Sequence, residues 1–179
     1  VLFYLFPQIS NLWISLLTWL AIATMTIGNL IAISQSDIKR LLAYSSIAQA
    51  GYILAGLATP GNLGLQAILI YIAAYLFTNL GAFFTVLAVE RNLGTNQLNA
   101  YRGLSERNPG LAVVLTVFLL SLAGIPPLAG FLGKFYIFAS AIHSKAFLLA
   151  VAIGINSAVA AYYYFRIIRA AYLEKPDVS

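Results

Sequence analysis

Two adjacent prolines, Pro126-Pro127, interrupt an apolar stretch that runs from Leu111 to Ile142 and carries a single charge, Lys134. A membrane-crossing helix needs ~20 apolar residues, and this run holds about 32. An unbroken helix cannot pass through the pair, because each proline removes a backbone donor and clashes with the preceding turn. The economical reading is one discontinuous transmembrane helix, broken between Gly124 and Gly130 around Pro126 and Pro127, with Lys134 just past the break. A lysine near mid-membrane costs ~2.5–3.5 kcal/mol on insertion scales, so it is a functional-site hypothesis by default.

The whole chain supports a membrane setting. It is 179 residues long, 61% hydrophobic and only 8% charged, against roughly 25% charged in soluble domains. The expected class is all-α, a polytopic transmembrane bundle of about five spans. The apolar segments are residues 12–33, 38–58, 63–89, the broken 111–142, and 146–171. Pro60-Gly61 and Asn108-Pro109-Gly110 are turn signals between them, and residues 90–109 form a polar loop. Residues 1–179 are expected to form one membrane domain of a longer subunit, with Val1–Phe6 as the stub of a preceding element. The net charge of +5 is read by location and does not point to nucleic acid. Lys39, Arg40, Arg91, Arg102, Arg107, Arg166, Arg169 and Lys175 fall on one side, and Lys145 alone on the other. That asymmetry predicts a cytoplasmic C-terminus and an N-terminus outside.

Candidate chemistry centres on Lys134. Its bland alternative is a snorkelling lysine whose stem lies in lipid. The functional reading draws on the small residues Gly130 and Gly133 and on Tyr136, whose hydroxyl can bond an amine. Desolvation disfavours the charged form of an amine, which suits a group that binds and releases H⁺. Ser45, Gln49 and Tyr52 share one helical face, which either lines water or bonds a neighbouring helix. Tyr71, Tyr75 and Asn79 make a second semi-polar stripe, read first as packing. Asn29 is a helix-packing residue, and Asp37, Lys39 and Arg40 form a solvated boundary with Ser34 or Ser36 as N-cap. His143 is either an interfacial histidine or a proton exit relay, and Tyr162-Tyr163-Tyr164 with Arg166 reads as an interfacial belt. Without cysteine and with one histidine, the chain offers no disulfide and no histidine-rich metal site. It shows no catalytic residues for covalent chemistry and no cofactor-binding motif.

Three motifs carry a resemblance. Ser34 to Tyr52 (SQSDIKRLLAYSSIAQAGY), Leu120 to Tyr136 (LSLAGIPPLAGFLGKFY) and Tyr162 to Arg166 (YYYFR) resemble the antiporter-like membrane subunits of respiratory complex I, of the subunit N (chain 2) type. Mrp-type sodium/proton antiporter subunits share related motifs, but there the tyrosine matching Tyr44 is typically followed by His-Ser, not by Ser45-Ser46. The resemblance implies a parent of two inverted helix repeats, this chain being similar to the second, with Lys134 at the lysine of the broken helix. It further implies a proton half-channel coupled to electron transport in NADH:quinone oxidoreductase, within an energy-transducing membrane (bacterial, thylakoid or mitochondrial). Other membrane subunits would be the partners, with NADH, FMN, iron–sulfur clusters and quinone held by them. The rivals are an Mrp-type Na⁺/H⁺ antiporter subunit and a non-conducting scaffold.

Overall fold

The computed structural model describes residues 10–175, and all of its long elements are helices. In chain order they are α1 (Ser10–Ile33), α2 (Ile38–Leu57), α3 (Asn62–Leu93), a 3₁₀ turn (Leu98–Tyr101), the one-turn α4 (Leu104–Arg107), α5 (Pro109–Ala123), α6 (Ala129–His143) and α7 (Phe147–Leu173). The expected stub Val1–Phe6 lies outside the described residues.

α1, α3 and α7 are long and apolar enough to cross a membrane on length and composition alone. The physical reason α2 falls short is its inward face. Ser45, Gln49 and Tyr52 lie among its buried residues, so its polar groups are spent inside the bundle and not on lipid. α5 and α6 have 15 residues each, too few to span singly. Joined across the break they make the fifth crossing. Large apolar side chains such as Leu69, Phe77, Phe84, Leu148 and Ile155 are exposed, the inversion of a soluble fold that apolar surroundings permit.

Within the bundle α1 packs along α2, and α3 along both α6 and α5, while α7 closes the ring against α1, α5 and α6. Buried apolar residues fall into two clusters. One holds Leu41, Tyr101, Leu115, Leu119 and Ile167, the other Met25, Ala55, Ile137, Leu149 and Ile153, and Tyr75 packs against both. The polar residues of the site lie between these cores.

Three expectations need correction. Helix α2 is capped by Asp37, whose Oδ1 accepts from Arg40 N at 2.9 Å, and not by Ser34 or Ser36. The choice is tertiary: Ile38 N donates to Asn96 O and Leu98 N to Ser36 O, which holds Asp37 extended opposite Gln97. The boundary is also less solvated than expected, because Lys39 Nζ lies 2.5 Å from Glu90 Oε2. Third, α3 continues to Leu93 before Gly94 ends it in the left-handed region, so Glu90 and Arg91 are helical. The rest of that loop is pinned at its far side by Gly103 N donating to Ala170 O and by Arg102 pairing with Glu174.

Candidate functional site

The break is built by local backbone rules. Gly124 takes φ +88°, and its N–H bonds the carbonyls of Leu120 and Ser121 while Ile125 N–H returns to Leu120 O. This left-handed C-cap needs glycine, since a Cβ there is strained. The peptide between Pro126 and Pro127 is cis, and α6 begins two residues further on. Gly130 then lets α6 close onto α5: a Cβ in its place would lie 1.8 Å from Ser121 O. Its N–H donates to Ser121 Oγ at 3.1 Å, latching the two half-helices.

A C-cap of this kind satisfies the carbonyls of Leu120 and Ser121 and leaves the next two, Leu122 and Ala123, without helical partners. Lys134 supplies them. Its Nζ donates to Leu122 O at 2.9 Å and to Ala123 O at 3.2 Å, with the residue only 7% exposed. The amine therefore sits at the negative pole of α5, where a cation is favoured by ~0.3–2 kcal/mol. Two charge-assisted bonds contribute ~1.5–3 kcal/mol each, together enough to offset the ~2.5–3.5 kcal/mol that a lysine at the centre of a membrane helix costs. Among the described residues no carboxylate lines the site. The described carboxylates Asp37, Glu90, Glu106 and Glu174 all belong to helix boundaries and the loop. The amine is thus held by neutral oxygens, which bind it with or without its extra proton.

Two cavities meet at Lys134. One, of about 10 Å³, is lined by Gln49, Tyr71, Tyr75, Thr78, Ser121 and Gly130 together with Lys134. Its volume is that of a single water site. The other, of about 230 Å³, lies on the far side of the amine among Gly124, Phe131, Phe138, Ile153, Gly154 and Ser157. From the smaller one a line of polar side chains runs on through the bundle, joined by hydrogen bonds except at one step made by ring packing. Tyr71 donates to Gln49 Oε1 in a short bond, and Gln49 Nε2 donates to Tyr164 OH at 3.3 Å. The ring of Tyr164 packs on that of Tyr163 at 4.6 Å, and Tyr163 donates to Asn29 Oδ1 at 3.0 Å. Asn29 and Asn156 bond at 2.9 Å, and Asn156 reaches Thr26.

Of the residues singled out by sequence, the structure gathers Lys134, Gln49, Tyr52, Tyr71 and Tyr75 with the break residues Gly124 and Gly130. Ser45 is buried beside them but donates to Leu42 O of its own helix. Asn79 is half-buried, and its Oδ1 has no partner among the described residues. Tyr136 is 38% exposed and makes no bond to the amine, because residues two apart on a helix face opposite ways. His143 is exposed in the last turn of α6 and does not join the cluster. The expected tyrosine belt is also corrected. Tyr162 is 61% exposed, whereas Tyr163 and Tyr164 are fully buried. Arg166 does not anchor in lipid headgroups; it donates to Ile33 O at 2.9 Å and to Gln35 O, closing the end of α1. Sequence reasoning passed over Ser121, Asn156, Ser157 and Tyr164 as site residues. A usable signal was present in α7, where Ser157 and Tyr164 stand seven residues apart on one face of an apolar helix.

A membrane-embedded bundle with a discontinuous span closed over a buried amine is the class that fold and site define. Residues 1–160 match the family described as "NADH:quinone oxidoreductase/Mrp antiporter, TM", and the chain belongs to it. It is 46% identical over 172 residues to NAD(P)H-quinone oxidoreductase subunit 2 of Gloeobacter violaceus, an alignment covering 96% of this chain and 34% of that protein. Among solved structures it resembles a chain of respiratory complex I from Thermus thermophilus with bound NADH (TM-score 0.88, 26% identity, 97% of this chain and 37% of that one). It likewise resembles a chain of the Mrp complex from a Dietzia species (TM-score 0.87, 29% identity, 91% and 30%). The chain spans about a third of the length of the curated relatives it matches.

Proposed function

We propose that this chain forms one half-channel of a proton-translocating membrane subunit in an NADH:quinone oxidoreductase-type complex, with Lys134 as the group that binds and releases H⁺. One observation carries the reading: the Lys134 amine is buried at the break and held by two backbone carbonyls, with no carboxylate to fix its charge. A lysine locked in an ion pair would keep its proton, whereas one bound by neutral oxygens can cycle. The inward path would run through Gln49 and the tyrosines, and the outward path through the cavity beside Gly154. Electron transfer from NADH through FMN and iron–sulfur clusters to quinone belongs, on this reading, to partner subunits. The neighbouring membrane subunits and the bilayer are the partners of this chain. Its basic asymmetry supports a cytoplasmic C-terminus in an energy-transducing membrane.

The similarity to the Mrp complex keeps a Na⁺/H⁺ antiporter subunit as the second reading, and a purely structural role for Lys134 as a helix cap as the third. All are separated by the parent complex reconstituted in vesicles, with H⁺ moved per electron pair measured for Lys134→Met, Lys134→Arg and Lys145→Met. The proposal expects normal assembly and lost pumping for both Lys134 variants, since a guanidinium never gives up its proton, and full pumping for Lys145→Met. Full pumping by Lys134→Arg or Lys134→Met rejects the role of the amine. Pumping that requires Na⁺ favours the antiporter reading.

A further inference from the structure

Tyr52 meets the amine with its ring and the rest of the protein with its hydroxyl. Lys134 Nζ stands 5.0 Å from the centroid of the Tyr52 ring, while the Tyr52 hydroxyl pairs with Ser157 Oγ of α7 at 3.1 Å. Tyr52 has no exposed surface, so both contacts are made away from bulk solvent. An aromatic face is negative and attracts an ammonium, and it gives little to a neutral amine. The carbonyls of Leu122 and Ala123 accept hydrogen bonds from either form. Among the side chains at the amine, the Tyr52 ring is therefore the one whose attraction depends on the charge, and it adds to the preference of the α5 C-terminus for a cation.

Other titratable or polar groups around the amine are few, and of the other lining residues only Tyr71 and Tyr75 can titrate. α3 contributes Tyr71 and Tyr75, and α5 contributes Ser121 and its carbonyls. From α7 come Ser157 and Gly154. On α6 itself the nearest titratable groups are Tyr136 and His143, both on the exposed surface. Neither cavity at Lys134 is lined by a carboxylate or by a second cation.

We propose that Tyr52 is a positioning residue for proton transfer that acts through the π-face of its ring and not through its hydroxyl. It holds the protonated Lys134 amine over the α5 carbonyls and sets the pH at which that amine releases its proton. The inference rests on the proposed role of Lys134. It differs from a hydroxyl relay through Tyr52, in which the O–H would pass the proton.

The test replaces Tyr52 in the full complex by phenylalanine and by phenylalanines of increasing fluorination. Fluorine withdraws charge from the ring face while nearly conserving its shape, so folding is preserved across the series. H⁺ pumped per electron pair is recorded against pH, together with the amount of assembled complex. Removing a cation–π partner destabilises the ammonium, so the alkaline limb of the profile moves to lower pH. The expected outcome is an unshifted limb for Tyr52→Phe and a graded acid shift with fluorination, reaching about one pH unit. A flat fluorination series overturns the proposal, as does a Tyr52→Phe variant that stops pumping. Lys134→Met in the same assay separates the two levels. Pumping that survives Lys134→Met refutes the role of the lysine itself, whereas lost pumping with a flat fluorination series refutes only the role of Tyr52.

Discussion

Lys134 and Arg166 do the same local job with different consequences. Each donates to carbonyls at the end of another helix, Lys134 to Leu122 and Ala123, Arg166 to Ile33 and Gln35. Arg166 sits beside the connection to α2 and carries a permanent charge, so its role is mechanical. Lys134 lies inside the bundle, at a cavity, on a side chain that can lose its proton. Arg166→Ala should therefore cost about 1–3 kcal/mol of stability by leaving acceptors unpaired, with pumping per turnover unchanged in the protein that assembles. Lys134→Met leaves two acceptors unpaired as well but also removes the desolvation cost of the amine, so its stability loss should be the smaller of the two and its loss of pumping the larger. Thermal unfolding and pumping on both variants check this. A stability loss for Lys134→Met exceeding that of Arg166→Ala would mean that the amine is chiefly a cap.

At the scale of elements, the broken span depends on a contact with no slack. Gly130→Ala places a methyl 1.8 Å from Ser121 O, so α6 must back away from α5 and stretch the reach of Lys134. Overpacking of this kind costs about 1–3 kcal/mol, and pumping should fall with it; a variant with wild-type melting and pumping would show that the half-helices are not latched there. Ser121→Ala removes only the hydroxyl that accepts from Gly130 N, at about 1 kcal/mol, and is the milder control.

The strut at the start of α2 gives a pH prediction. Lys39 and Asn96 bond the carboxylate of Glu90 and hold its pKa below the usual carboxylate range. A lowered folded-state pKa means that the strut's contribution is complete above the ordinary carboxylate pKa and disappears as pH falls through the lower folded value. Hydrogen exchange at Ile38 N and Leu98 N, which tie the loop to α2, should stay protected until that acid range, and in Glu90→Gln should be faster than wild type above it and converge with wild type within it. Protection lost near neutral pH would contradict it.

How far the sequence disclosed these elements follows from what each depends on. The break was legible because proline and glycine act locally. So was the burial of Lys134, because a lone charge in an apolar run has few places to be. The carbonyl acceptors were not legible, since they depend on which oxygens the Gly124 cap leaves over. Tyr162-Tyr163-Tyr164 was read as one belt although a helix turns about 100° per residue, which sends the second and third rings into the core. Asp37 was missed as a cap because Ser34, Ser36 and Asp37 are all good cap formers, and the choice among them is made by a loop some sixty residues away.

Over the whole molecule, two apolar cores sandwich a polar seam that reaches from Lys134 through Gln49 and Tyr164 to Asn29 and Asn156. Polar side chains in a membrane interior are costly unless bonded, and this seam is the path that the proposed function assigns to H⁺. The orientation of that seam follows from the basic asymmetry of the boundaries. Since the chain has no cysteine, single cysteines at Asn62 and Asn99 can be placed on an otherwise thiol-free background in this chain. The proposed cytoplasmic C-terminus predicts labelling of Asn62→Cys from outside and of Asn99→Cys from inside; labelling of both from one face would overturn it.

The central claim is that the Lys134 amine changes protonation as the complex works. Infrared difference spectroscopy of the reconstituted complex, with lysine carrying heavy nitrogen to mark its bands, reads this directly. The account predicts an isotope-sensitive ammonium band that loses and regains intensity during turnover and is missing in Lys134→Met. A wild-type difference spectrum with no such band, or one that Lys134→Met leaves unchanged, would contradict it.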